Sequence, residues 1–529
     1  MTSNNARTAE SLPRARLSDL WRLAAALLLA VLFVTNVYRA ATQSISHDEG
    51  TMFEWFLSGS WGQVLNFEHG NHHVLTDLLA KLMITVFGAS AFTLRIPSLL
   101  GGLLYFCAIF RLSRLLFGEA FVFLLSVALL SLNPFVLDYL SCSRGYGLAL
   151  GLFFYALYQV ILYLNDWPER PDSTGSKRLF RKAGIALGLS IGANPIMIFP
   201  GGALLGSFFV MLLGDRLVRR SERANTRQSI QPWRQALLHL ALPASAVGVF
   251  VLTLPKQLIE LEAGNMGPSS LFAILQPLVR FSFVHSPAGY RGLAVWFPAE
   301  AAIGMVTYLV VPGCLVALVL AAGRIAFHWM GKRSLSALTT IDRSLMLLGI
   351  LLPATIALIV ISRYLFHQPY PELRTAMYWL PLLELAAVVL LDRLSQGSRI
   401  EWILSVPLAA VLLLCVVQFA TQFNTRYFAE WAYCSAGKDM MQIVRSDHAA
   451  TPGARARIGA SWQLEPVINF YRLTWHLDWM DPVNRESPAN AYDYYLLGFG
   501  DTPLVESLHL KQLDSDRLSG TVLAKRVTS

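Results

Sequence analysis

Apolar residues run through this chain in long unbroken blocks rather than in alternation. The blocks cover residues 19–41, 95–116, 119–139, 145–165, 181–195, 197–214, 235–255, 301–327, 344–364, 376–392 and 401–421. A helix needs about 20 apolar residues to cross a hydrocarbon core, so the pattern predicts an α-helical polytopic membrane protein with about eleven transmembrane helices. Blocks 181–195 and 197–214 are short and joined by "GANPIMIFPGG", which reads as a broken or hairpin pair. Residues 74–88, "VLTDLLAKLMITVFG", are short for a span and carry Asp77 and Lys81, which suits a helix lying in the interface.

Past the last block the pattern changes. "RARIGA", "YDYYLLGF" and "GTVLAKR" read as short strands, and residues 436–446 read as a helix. The chain is therefore expected to divide into a transmembrane domain over 1–425 and a small soluble, extracytoplasmic α/β domain over 426–529.

Composition agrees with the pattern. Of 529 residues, 54% are hydrophobic and 15% charged, and the mean hydropathy is +0.47, values of a membrane protein rather than a soluble enzyme. The net charge of +9 sits in short loops: "RLSRLLFG" (111–118), "ERPDSTGSKRLFRK" (169–182), "DRLVRRSERANTRQ" (215–228), "HWMGKRS" (328–334) and "DRLSQGSR" (392–399). With 74–88 left in the interface, all five fall on one side, which is cytoplasmic by the positive-inside rule; letting 74–88 cross inverts that bias. No basic residues interleave with aromatics as nucleic-acid binding requires, so nucleic acid is set aside as a partner. The N-terminus carries Arg7, Arg14, Arg16 and Arg22 before its apolar run. Cleavage after Ala41 would place Arg39 at −3, so the run is expected to remain as the first helix. The expected setting is a bacterial inner membrane, with the N-terminus cytoplasmic and the C-terminus periplasmic.

That topology gathers the unusual polar residues on the outer face. The stretch "QSISHDEGTMFEW" supplies His47, Asp48, Glu49 and Glu54, and the same loop holds His69, Asn71, His72 and His73. "YLSCSRGYG" adds Arg144 and Tyr146, the next long loop adds Arg280, His285, Tyr290 and Arg291, and "RYLFHQPYPELR" adds Arg363, Tyr364, His367, Glu372 and Arg374. Arginines bind phosphate with two parallel donors, and a carboxylate beside them can take a proton from a hydroxyl. The candidates are Asp48 and Glu49 for catalysis and Arg144, Tyr146, Arg291, Arg363, Tyr364 and Arg374 for substrate. The plainer reading makes the arginines snorkel to lipid headgroups and "HDEG" a solvated helix end. In "HGNHH", His72 and His73 completed by Asp48 or Glu49 suggest a divalent metal ion (Mg, Mn or Zn). The outer Trp and Tyr residues read as interface belt. The five cysteines form neither a zinc motif nor a disulfide framework; a bridge, if any, would join Cys142 to Cys434 on the outer side.

The first span with its outer "HDEG", the interface helix ending "FGASAFTLRIPSLLGG", the helix pair ending "LNPFVLDYLSCSRGYGLAL" and the late "QPYPELRTAMYWLPLLEL" resemble the GT-C superfamily. Within it, the branch containing protein O-mannosyltransferases and lipid A aminoarabinose transferases is the one resembled, over roughly residues 15–425. The resemblance implies a membrane glycosyltransferase with a polyprenyl-phosphate sugar donor and a lipid, glycan or protein acceptor among membrane lipids. It places the family's acidic residue after the first helix on Asp48, the expected general base, with Glu49 beside it. The family's second acidic residue in the next outer turn has no direct counterpart: Asp138 falls within the helix, and the turn presents Arg144. Two other classes stand beside this one. A secondary transporter calls for inverted repeats and mid-membrane polar residues, and no convincing repeat is present. A glycan ligase or polymerase shares the outer-face chemistry but uses a lipid-pyrophosphate donor.

Overall fold

A computed structural model describes residues 19–65, 73–167, 174–220, 232–254, 270–285, 299–332, 335–450, 455–498 and 500–527. Among these, nine helices are long and apolar enough to cross a membrane: Asp19–Thr42, Ala91–Leu116, Tyr146–Asn165, Pro195–Val218, Pro232–Thr253, Ala299–Gly331, Thr340–Phe366, Leu373–Ser395 and Arg399–Gln422. The protein is thus a polytopic α-helical membrane protein with a small C-terminal sheet. The other two expected spans are helical but are not among these nine. Block 119–139 divides into Ala120–Leu132 and Pro134–Tyr139, because Pro134 has no N–H to continue the ladder and Asn133 starts a new helix, its Oδ1 accepting from the amides of Phe135 and Val136. Helix Thr174–Ala193 carries Lys177, Arg178, Arg181 and Lys182 in its first turns, which dilutes its apolar length. The expected break after it is present: Asn194 caps a 3-10 turn over Pro195–Met197 before the chain turns back.

Residues Val74–Phe87 form one helix of 14 residues, about 21 Å long and too short for a hydrocarbon core of about 30 Å. Its two charges are locally satisfied. Asp77 accepts the backbone N–H of His73 at 2.9 Å, and Lys81 Nζ donates to the carbonyls of Leu57 and Gly59 at 2.6 Å each.

Glycines set one of the close helix pairs. A Cβ on Gly101 would stand 2.3 Å from Leu148 Cα, and one on Gly151 would stand 2.2 Å from Gly101 O. Helices Ala91–Leu116 and Tyr146–Asn165 therefore meet backbone to backbone, as small residues allow in a membrane. The contact holds the "SRGYG" turn against the start of helix Ala91–Leu116.

After the last long helix come a helix at Gly437–His448 and a four-stranded sheet of β1 (Ile458–Ala460), β2 (Tyr494–Leu497), β3 (Lys511–Asp516) and β4 (Thr521–Lys525). The order is β1-β2-β4-β3, with β1 parallel to β2 and the other pairs antiparallel. The parallel pair needs a crossover, supplied by helix Glu465–Thr474. The three expected strands correspond to β1, β2 and β4. Strand β3 and the crossover helix were not expected: "KQLDSD" is a polar edge strand, recognisable only by its pairing with β4.

This unit sits directly on the first loop. A Cβ on Gly50 would lie 2.6 Å from Pro466 O, so only glycine lets the crossover helix approach helix His47–Met52 this closely. Tyr471 Oη accepts the amide of Ile45 at 2.9 Å, His47 Nδ1 lies 2.7 Å from the carbonyl of Gln463, and the rings of Phe53 and Phe470 stand 5.0 Å apart.

Candidate active site

The loop after the first helix begins with a capping box. Ser46 Oγ accepts the amide of Glu49 at 3.3 Å, while Glu49 Oε2 accepts both the amide and the hydroxyl of Ser46 at 3.0 Å. Successive helical residues diverge by about 100°, so the two acids face different surroundings.

Glu49 points inward and has no exposed surface. Arg95, also fully buried, grips it with two bonds, Nε to Oε1 at 2.9 Å and Nη2 to Oε2 at 2.8 Å. The amide of Ser143 adds a bond to Oε1 at 2.7 Å. Arg95 spends its remaining donors on the carbonyls of Ala40, Gln43 and Ser44. Burial alone would raise the Glu49 pKa, but the charge and hydrogen bonds of Arg95 and the amides of Ser143 and Ser46 outweigh it and hold the carboxyl below the usual range. This acid is fully occupied by structure.

Asp48 points the other way, into a cluster of cations. Its Oδ2 lies 3.1 Å from Arg144 Nη2 and 3.1 Å from Arg374 Nη2. Burial pushes its pKa up, yet Arg144, Arg374 and His47, with a hydrogen bond from Trp431, prevail and hold the carboxyl below the ordinary value. Arg144 is supplied by the turn before helix Tyr146–Asn165, whose Gly145 adopts φ +74° where a side chain would strike Ala193 O. Arg374 comes from the 3-10 turn Leu373–Ala376 that enters the next-to-last helix.

Arg374 also pairs through Nη1 with Glu430, whose other oxygen accepts the hydroxyl of Tyr139 at 2.5 Å. The Trp431 ring lies 5.6 Å from the Arg374 guanidinium carbon. Tyr146 joins the edge of the cluster, its ring 5.1 Å from Tyr139 and 5.6 Å from His73. Behind it, Asp138 pairs with Arg39, lies 3.0 Å from His285 Nε2 and accepts the amide of Ala429 at 2.8 Å.

The structure thus brings Asp48, Arg144, Tyr146 and Arg374 together, with His73 at the margin and Glu49 one layer behind. Arg363 and Tyr364 stay out of the cluster: both are exposed, and Arg363 lies over the ring of Tyr370. They fit the snorkelling reading. His69, Asn71, His72, Tyr290 and Arg291 lie outside the described residues. Glu430, Trp431 and Tyr139 were not foreseen. The signal available was "AEWAYC", an acid and aromatics just past the final span, which pattern analysis assigns to the soluble unit. Arg95 was also missed, although an arginine inside an apolar block always needs a partner.

No group of three or more His, Cys, Asp and Glu able to hold a cation occurs among the described residues. Those present do not fit a metal beside Asp48: Glu49's oxygens are taken by Arg95, Ser143 and Ser46, and Asp48 faces two guanidiniums. All five cysteines are free, Cys142 and Cys434 being buried close to this site.

No protein-family model matches the chain. No curated protein matches it by sequence. Among solved structures it is similar to ArnT from Cupriavidus metallidurans bound to undecaprenyl phosphate, at 15% identity and a TM-score of 0.42, over 97% of this chain and 99% of that one. It is also similar to the oligosaccharyltransferase AglB from Archaeoglobus fulgidus, in complex with an inhibitory peptide and a dolichol-phosphate. That likeness has 12% identity and a TM-score of 0.45, over 96% of this chain and 74% of that one. A third is the arabinosyltransferase EmbB from Mycobacterium smegmatis, at 13% identity and a TM-score of 0.38, over 88% of this chain and 44% of that one.

Proposed function

We propose that this protein is a membrane glycosyltransferase that moves a sugar from a polyprenyl-phosphate donor to an acceptor hydroxyl at the periplasmic face. One observation carries the reading: two arginines from separate outer turns converge at 3.1 Å on the same oxygen of Asp48, where the helices end. Two guanidiniums so placed suit a phosphate, and a carboxylate between them suits the proton released on transfer.

In this reading the donor phosphate takes up guanidinium donors that Asp48 holds when the donor is absent. Asp48 then accepts the proton of the acceptor hydroxyl. The acceptor oxygen bonds to the anomeric carbon on the face opposite the phosphate, and the sugar–phosphate C–O bond breaks with inversion. Its electrons go to the phosphate oxygen, whose added charge Arg144 and Arg374 stabilise. Tyr146 borders this cluster. Glu49 does not touch the reaction; through Arg95, Ser46 and Ser143 it fixes the turn from which Asp48 projects. No step uses a metal. Residues 426–529 are proposed as a unit of their own, since they carry the sheet and also press on the loop that carries Asp48.

The test is reconstitution of the purified protein in liposomes with an undecaprenyl-phosphate hexose or aminopentose and an envelope extract as acceptor source. Release of undecaprenyl monophosphate that depends on Asp48 supports the reading. Turnover only with a lipid-pyrophosphate glycan would point to a ligase or polymerase.

A further inference from the structure

The mechanism above leaves one acid of the cluster unused. Glu430 is held at both oxygens, one on Arg374 Nη1 and the other on the Tyr139 hydroxyl, and its neighbour Trp431 lies beside the same guanidinium. Its own segment is pinned as well. The amide of Ala429 donates to Asp138, Tyr433 O accepts the hydroxyl of Thr521 at 3.2 Å, and Ser435 Oγ donates to Asp516 at 3.3 Å. The C-terminal sheet therefore holds Glu430 in place against Arg374.

We infer that Glu430 is a charge-balancing positioning residue, which takes one fork of Arg374 so that only the other remains for Asp48 or the donor's phosphate. The inference rests on the assignment of Arg144 and Arg374 to phosphate. Two arginines and two carboxylates make the cluster formally neutral. A donor phosphodiester adds one negative charge, and the phosphate monoester left after transfer carries more. Without Glu430 the cluster would hold an uncompensated positive charge. It would bind the departing polyprenyl phosphate more tightly and draw electron density from Asp48, making it a weaker base. Glu430 thus trades phosphate affinity for basicity and product release.

The groups facing Asp48 are Arg144, Arg374, His47, Tyr433 and Cys434. Those facing Glu430 are Arg374, Tyr139, Tyr146 and Tyr433. Replacing Glu430 by Gln removes one negative charge from this set and keeps the shape.

The experiment measures undecaprenyl monophosphate binding and donor turnover for the full-length protein and for E430Q, Y139F, R144A and R374A, each checked for melting temperature. For E430Q we expect binding about fivefold tighter, a lower kcat, and an acid limb of kcat/KM moved to lower pH. Y139F frees a Glu430 oxygen to compete for Arg374, so its binding should weaken, opposite in sign. Should E430Q fail to fold, the Y139F binding change alone decides. Weaker or equal binding in a folded E430Q, or tighter or unchanged binding in Y139F, overturns the inference while leaving the phosphate assignment intact. Wild-type binding in both R144A and R374A overturns that assignment and the inference with it.

Discussion

Arg95 and Glu49 form a two-pronged ion pair with no solvent exposure on either side chain, 46 residues apart in sequence and at the root of the loop that carries Asp48. Removing one partner leaves a buried charge without compensation, which costs about 3–5 kcal/mol. Glu49→Gln and Arg95→Met should each lower the melting temperature in detergent sharply. An apolar double replacement, Glu49→Leu with Arg95→Met, should cost less than either single change. If Glu49→Gln melts as wild type but loses turnover, Glu49 belongs to the chemistry instead.

Asp48→Asn keeps size and shape but cannot accept a proton at neutral pH. Loss of a general base costs about 10²–10⁴-fold in rate, and binding of undecaprenyl monophosphate should survive. The measurement is transfer rate in correctly inserted, purified protein. Near-normal turnover would return the acid to a mere helix end.

The pH dependence follows from direction alone. Asp48 and Glu49 both have folded pKa values below their ordinary ones. Each therefore contributes stability that is present above the unfolded value, near 4, and lost as pH falls through the lower folded one. Melting temperature should hold from about pH 7 down to about pH 5 and then fall steeply. For turnover, donor phosphate drawing on Arg144 and Arg374 should raise the Asp48 pKa in the complex. The acid limb of kcat is then expected at higher pH than that of kcat/KM. Coincident limbs would show that Asp48 keeps both arginines when donor is bound.

Arg144→Ala and Arg374→Ala should each weaken donor phosphate binding by about 1.5–3 kcal/mol, roughly tenfold to more than a hundredfold. Arg363→Ala, whose side chain lies over Tyr370 outside the cluster, should bind as wild type. Equal losses in all three would mean that general surface charge, not the cluster, attracts the donor.

Gly50→Ala should separate the C-terminal unit from the first loop, because the new Cβ meets Pro466 O at 2.6 Å. Limited proteolysis should then cut the C-terminal region faster, and turnover should fall while the membrane helices stay folded. Unchanged cleavage and turnover would show that the contact is incidental.

The membrane fold was legible because its signal is local: about 20 apolar residues in a row suffice, whatever they pack against. Residues 119–139 show where this stops, since Asn133 and Pro134 break a block that hydropathy reads as continuous. Asp48, Arg144, Tyr146 and Arg374 were reachable because each is a polar residue at a span boundary. Glu430 was not, since its place depends on Arg374 and Tyr139, 56 and 291 residues away. That neighbouring acids cannot both point into one cleft sets Asp48 apart from Glu49 in the sequence already, but the partners of each were hidden. Only the direction of a six-residue helix, set by the Ser46 cap, sends one acid to Arg95 and the other to Arg144.

The contact between His47 and Gln463 spans 416 residues. During synthesis the chain lays down Asp48 first, then waits for Arg144, for Arg374, and at last for Glu430 and the segment that braces the first loop. Contacts of such long range form late. A chain that stops before residue 430 therefore carries Asp48 and its two arginines without Glu430 and without the segment that braces the first loop, so the arrangement is complete only once residues beyond the final long helix have folded back onto the loop made first.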